Sequence, residues 1–262
     1  MASTSATDLT YTILIPARLG STRLPDKALA DIAGIPMVVR VAMAARNSKA
    51  SRVAVATDSP QIVDAVTTAG FEAVMTRDDH SSGTDRLAQA STELGLGDDE
   101  IVVNLQGDEP QMPGSVCDRV AQRLIDNPDE SMATAVHPIL SMQSFLDPNV
   151  VKAVLNAREQ AIFFSRAPIP WCRDSADGHG WPGAANPLQP WHHVGIYGYR
   201  VHYLRAYPGL ARTALEDTEA LEQLRAIWHG HTIGAVCLDQ SPPRGVDTPA
   251  DLARVRAHFA GT

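Results

Sequence analysis

The sequence predicts an α/β protein: a mostly parallel sheet flanked by helices, with a smaller antiparallel portion inserted. Three observations carry that expectation. Short apolar runs alternate with helical patterns through the first 105 residues, as layered α/β chains do. Their βαβαβ order calls for parallel strands joined by right-handed crossovers. The second half loses that regularity, with strand-like runs crowded together and a proline-rich stretch among them.

Residues 11–15 form the first buried-strand run, followed by a polar loop and a helix over 36–47. Pro36 suits that helix's first turn, where a missing N–H costs little. Residues 52–56 are the second strand, with Thr57-Asp58-Ser59-Pro60 as turn and helix cap. The helix over 61–69 ends at Gly70, a C′ glycine. Residues 71–75 and 101–105 are the third and fourth strands, with a helix over 85–93 between them. Beyond these, 132–136, 150–155, 161–164 and 194–199 read as strands. Residues 167–190 contain five prolines and three glycines, the composition of an extended loop over a site. A helix over 216–228, a strand over 232–238 and a last helix over 249–258 complete the chain. Residues 1–10 read as a disordered tail and 11–262 as one domain, the inserted portion covering roughly 140–215.

The 262 residues are 44% hydrophobic and 20% charged, with a formal net charge of −8, which excludes disorder as the dominant state. The same charge argues against a nucleic-acid partner, which calls for a positive footprint. The three cysteines form no CxxC pair, so they read as thiols in a reducing cytoplasm rather than a zinc site or disulfide framework. The first nine residues lack the basic and apolar regions of a signal peptide. No apolar run approaches the roughly 20 residues needed to cross a bilayer. A cytoplasmic protein with no membrane partner is expected.

In open α/β sheets ligands bind beyond the carboxyl ends of the strands. The loop after the first strand, Ile15-Pro16-Ala17-Arg18-Leu19-Gly20-Ser21-Thr22-Arg23-Leu24-Pro25-Asp26-Lys27, brings three cations there, with Gly20 and two hydroxyls. Such groups suit a triphosphate, although a plain solvated basic loop has the same composition. Neither GxxxxGK[ST] nor GxGxxG is present, so this is neither a Walker A loop nor a dinucleotide fingerprint. Asn104-Leu105-Gln106-Gly107-Asp108-Glu109-Pro110 ends the fourth strand. Asp108 there is a credible Mg²⁺ ligand, and Gln106 a hydrogen-bonding partner for a substrate hydroxyl; an ordinary turn is the alternative. Asp247, before Thr248-Pro249, reads equally as a helix N-cap.

The pattern IPAR-x-x-ST-RLP-x-K-x-L resembles the signature loop of sugar nucleotidyltransferases, in the version of the cytidylyltransferases that activate acidic sugars. Together with DHSSGTDRLA (79–88), VNLQGDEP (103–110), NVVKAV (149–154), FFSRAPIP (163–170), HHVGIYGYR (192–200), LEQLRAIWHG (221–230) and GVDTPADLARVR (245–256), the chain is similar to the 3-deoxy-manno-octulosonate (Kdo) cytidylyltransferase family. Ala28 departs from the pattern where proline is common, and Gln89 where an acid is.

That resemblance implies a Rossmann-like nucleotidyltransferase sheet and the reaction CTP + Kdo → CMP-Kdo + diphosphate, with Mg²⁺ as cofactor. It also implies a homodimer and a role in lipopolysaccharide biosynthesis. Residue by residue it implies that Arg18 and Lys27, assisted by Arg23 and Ala17, bind the triphosphate. Ser82, Gly83, Thr84, Asp85 and Arg86 hold cytosine and ribose. Asp108 and Asp247 share the metal. For the sugar, Arg166 pairs with the carboxylate, while Gln106, His193, Tyr197, Glu222 and Gln223 recognise hydroxyls. Outside the resemblance, those last four and Arg166 would read as ordinary core or surface side chains.

Overall fold

A computed structural model describes residues 9–20, 24–175, 178–183 and 188–261. Most of the expected tail, and Arg23 with it, lie outside the described residues. In chain order the strands and helices are β1 (Thr12–Ala17), β2 (Asp31–Ile32), β3 (Ile35–Pro36), α1 (Met37–Arg46), β4 (Arg52–Thr57), α2 (Pro60–Thr68), β5 (Glu72–Met75), α3 (Gly83–Glu93), β6 (Ile101–Asn104) and α4 (Gly114–Asp126). They continue as β7 (Met132–Pro138), α5 (Met142–Leu146), β8 (Lys152–Leu155), β9 (Ala161–Ser165), β10 (Trp191–Arg200), α6 (Val201–Ala206), α7 (Ala214–Glu219), α8 (Leu224–Trp228), β11 (Ile233–Cys237) and α9 (Pro249–Ala260).

The main sheet runs β11-β7-β10-β6-β1-β4-β5. β1 pairs in parallel with β4 and β6, β4 with β5, and β7 with β11, so the sheet is mostly parallel as expected. Strand β1 shows why its sequence is apolar without alternation. Ile13 and Ile15 face α1 and α4, Leu14 faces α3, and all three are wholly buried. A parallel strand covered on both faces has no side left for water.

Ser59 caps α2 by accepting from the Ile62 N–H, with Pro60 in its first turn. Gly70 follows that helix at φ +75°, a left-handed value that glycine tolerates. Pro36 sits one place earlier than expected, as the extended N-cap of α1.

Other differences are larger. Helix α4 is absent from the sequence reading, although Val116, Cys117, Val120, Ala121 and Leu124 form a buried stripe at helical spacing. The single helix expected over 216–228 is two helices, α7 and α8, separated at Ala220, whose φ is +48°. β10, inside the region expected as an insertion, is an antiparallel member of the main sheet between β6 and β7. The β8–β9 hairpin extends from its beginning. The pairing of β10 with β7 slips between Val194 and Tyr197, and the Thr134 hydroxyl fills that bulge, donating to the Ile196 carbonyl at 2.8 Å.

Candidate active site

Four segments meet at the carboxyl end of β1 and β6. The turn after β6 lies directly on β1. Leu105 N–H donates to the Leu14 carbonyl (3.1 Å). A Cβ on Gly107 would stand 2.7 Å from the Pro16 carbonyl oxygen, closer than backbone atoms allow. Glycine is what lets that turn carry Asp108 to the sheet edge. The segment before α9 is pinned to the same turn, Val246 N–H donating to the Asp108 carbonyl (2.9 Å). Lys27 then reaches both acids, its Nζ 2.6 Å from Asp108 Oδ2 and 3.2 Å from Asp247 Oδ1.

These groups line a cavity of about 370 Å³, to which Ala17, Arg18, Ser82, Gly83, Arg86 and Gln106 also belong. His80 and Ser81, which the sequence reading does not single out, complete the wall by α3. Their signal was position alone, directly before a helix N-terminus facing the loop. Asp85, expected among the nucleotide-holding residues, works within the helix. It forms a capping box with Ser82 and also accepts the Ser81 hydroxyl (2.6 Å). Arg86 is almost wholly buried, its guanidinium 2.7 Å from Asp58 Oδ2 and bonded to the Thr76 hydroxyl. Asp58 and Thr76 therefore fix how Arg86 meets the cavity.

A second hollow of about 100 Å³ shares Gly83 and Gln106 with the first. Thr84, Tyr197, Glu222 and Gln223 converge on it, joined by Asn104, Tyr199 and Tyr207, which the sequence reading does not name. Burial raises the Glu222 carboxyl above its ordinary range, and a hydrogen bond from Thr84 partly offsets this. Gln223 is 95% buried, since 5% of its surface is exposed, yet its Nε2 has no hydrogen-bond partner. A buried donor without an acceptor costs roughly 1–3 kcal/mol, so it marks a place for a polar ligand.

His193 and Arg166 line neither of these two hollows, but His193 lines a third, of about 350 Å³, that shares Asp108 and Asp247 with the first. The His193 ring stands behind Tyr197 at 5.4 Å, edge-on to Phe164 at 4.9 Å, with its Nε2 3.0 Å from the Thr134 hydroxyl. Burial pushes its pKa down to about 3, so the ring is neutral and braces Tyr197. The Arg166 guanidinium donates to the carbonyls of Glu219 (2.7 Å), Pro148 (3.0 Å) and Ala220 (3.4 Å). Three of its five donors are engaged, which leaves two for a carboxylate.

A groove of about 1100 Å³ beside α1 and α2 is larger, but it holds none of the expected site residues.

Around Lys27 the balance of charge is negative. Burial, together with the nearby charges of Asp108 and Asp247, raises the Glu109 carboxyl to about 8. Among the described residues no three His, Cys, Asp or Glu side chains enclose a metal ion. Two converging carboxylates nevertheless suit Mg²⁺, which takes one or two and completes its shell with water and phosphate oxygens. The donor set therefore fits that cation, and Asp108 and Asp247 are the residues that would hold it.

The family profile described as Cytidylyltransferase matches residues 12–233. The chain is similar to the structure of CMP:2-keto-3-deoxy-manno-octonic acid synthetase complexed with CTP. The two are 40% identical, with 96% of this chain and 98% of that one covered, at a TM-score of 0.86. A cytidylyltransferase from Leptospira borgpetersenii serovar Hardjo-bovis (strain JB197) shares the fold at 16% identity. That match covers 97% of this chain and 87% of the other, at a TM-score of 0.61.

Proposed function

The chain belongs to the cytidylyltransferase family, and from that premise we propose that it transfers the cytidylyl group of CTP to Kdo, releasing diphosphate. The observation that carries this reading is the junction of Lys27 with Asp108 and Asp247 inside the 370 Å³ cavity. The similar synthetase, solved with CTP, supplies the nucleotide and the sugar acid.

In this mechanism the anomeric hydroxyl oxygen of Kdo attacks the α-phosphorus, forming the new P–O bond as the bond to the β-phosphate oxygen breaks. The diphosphate leaves with the electron pair, and the hydroxyl proton passes to solvent water. Lys27 and Arg18 meet the charge that develops on the leaving group, a preorganised electrostatic task. Ala17 and the Ser82–Gly83 start of α3 cradle the nucleotide, Arg86 faces it from its seat on Asp58, and Arg23 assists at the phosphates. Mg²⁺ held by Asp108 and Asp247 would neutralise phosphate charge and acidify the attacking hydroxyl. Gln106, His193, Tyr197, Glu222 and Gln223 bind the sugar's hydroxyls and Arg166 its carboxylate. Positioning and charge account for most of the rate, since such transfers ask little covalent chemistry of the protein.

The same reading carries a homodimer, a cytoplasmic location and a product destined for lipopolysaccharide biosynthesis. Free thiols at Cys117, Cys172 and Cys237 suit a reducing compartment. Among the described residues no helix is long and apolar enough to cross a membrane.

Diphosphate release with Mg²⁺ and CTP, measured with Kdo, with sialic acid and without acceptor, tests the reading. Turnover with Kdo alone is expected. Equal turnover with sialic acid, or none with Kdo, would sink it.

A further inference from the structure

The segment after β9 and the corner between α7 and α8 each carry proposed sugar-binding groups, and one side chain joins them. The Glu219 carboxylate accepts the buried Ser165 hydroxyl at 2.5 Å and the Arg166 backbone N–H at 2.9 Å. In return the Arg166 guanidinium donates to the carbonyls of Glu219 and Ala220. The Ser165 oxygen also accepts the Ala167 N–H (3.0 Å), which extends the clasp along the loop. A cation on the last carbonyls of a helix is favourable in itself, and here it closes a reciprocal pair. The consequence lies three and four residues on. Left-handed Ala220 turns the chain, Leu221 enters the core, and Glu222 and Gln223 face the 100 Å³ hollow.

We propose that Glu219 is a positioning residue for acid-sugar recognition: its carboxylate fastens Ser165 and Arg166 to the α7–α8 corner, so that Arg166, Glu222 and Gln223 act as one unit. The inference rests on the functional reading above in taking the sugar acid as the ligand of that unit. Glu219 lines neither hollow, so its effect passes through the groups it holds. The nucleotide side, carried by the β1 loop, the β6 turn and the start of α3, meets this unit at Glu222, whose carboxylate accepts the Ser82 hydroxyl at 3.4 Å, one step removed from Glu219.

The test compares Glu219→Ala and Glu219→Gln with the unaltered full chain at saturating Mg²⁺. Glu219→Ala is expected to raise the KM for Kdo about tenfold and leave the KM for CTP within about twofold, as loss of a charge-assisted hydrogen bond would. Glu219→Gln keeps an acceptor for Ser165 and should show only about a threefold rise in the Kdo KM. Backbone hydrogen exchange supplies a readout that needs no sugar. Amides at 165–167 and 221–223 should exchange faster together in both variants, more so in Glu219→Ala. An unchanged Kdo KM overturns the proposal, as does an equal rise for CTP or exchange that quickens in only one of the two segments. If Glu219→Ala does not fold, the glutamine variant alone decides by the same measures. If the unaltered chain turns over no Kdo, the functional reading fails, and the exchange comparison then decides whether the clasp stands.

Discussion

Lys27 holds two acids that it would have to share with a metal ion bound there. Its ammonium sits 2.6 Å from Asp108 and 3.2 Å from Asp247, the place where a divalent cation's charge is wanted. Asp108→Asn and Asp247→Asn are each expected to lower turnover by about a hundredfold or more, with circular dichroism unchanged. Lys27→Met should also lower turnover by about a hundredfold, yet tighten Mg²⁺ binding to the free protein in calorimetry, because a competing cation is gone. His193 makes a separate statement about pH. Its pKa is about 3 in the fold against 6.5 for the ordinary group. Between those values the unfolded chain binds a proton that the fold refuses, so stability falls as pH falls through that window. His192, held at about 4, adds a second such proton. His193→Gln should flatten the slope of unfolding free energy against pH by about 1.4 kcal/mol per unit. Urea midpoints between about pH 4 and 6 would show it, and an unchanged slope would refute the assignment.

Among the elements, the split between α7 and α8 separates local from tertiary causes most clearly. Residues 214–228 contain neither glycine nor proline and are rich in helix formers, so the sequence reads as one helix. The break comes from Arg166, which takes the carbonyls of Glu219 and Ala220, and from the burial of Leu221. None of these interactions is encoded within the helix itself. Ala220 keeps a left-handed φ of +48° without being glycine. Ala220→Gly should therefore stabilise the protein by about 0.5–1 kcal/mol in urea unfolding, with the site unchanged. Destabilisation would mean that the alanine methyl has a packing role. The parallel strands were legible for the opposite reason: wholly buried strands such as β1 need continuous apolar runs, and nothing distant has to be known to see them.

At the scale of the whole molecule, the net charge of −8 coexists with two anionic substrates because the cations are concentrated. Arg18, Lys27 and Arg86 line one cavity. Among the described residues, Leu140, Ile162, Trp171, Leu188 and Trp228 are each more than half exposed, and the first four belong to the 140–190 portion. Such a grouping suits a subunit interface. Sedimentation of the intact chain is expected to give a dimer, and Ile162→Asp to weaken it without unfolding the monomer. A monomer at micromolar concentration would remove the dimer from the reading.

The sequence by itself determined the α/β class, the parallel half of the sheet and the strand-end loops that meet around the 370 Å³ cavity. Buried strands, helix caps and a strand-end loop with its cations are written in residues adjacent along the chain. Only the tertiary structure decided that β10 runs inside the main sheet, that Glu222 and Gln223 leave a helix to face a hollow, and that His193 stands behind Tyr197. It alone set Arg166 to clasping a corner. In each of these cases the partner lies far away in sequence, and side-chain direction follows from which distant groups remain to satisfy a buried donor or acceptor.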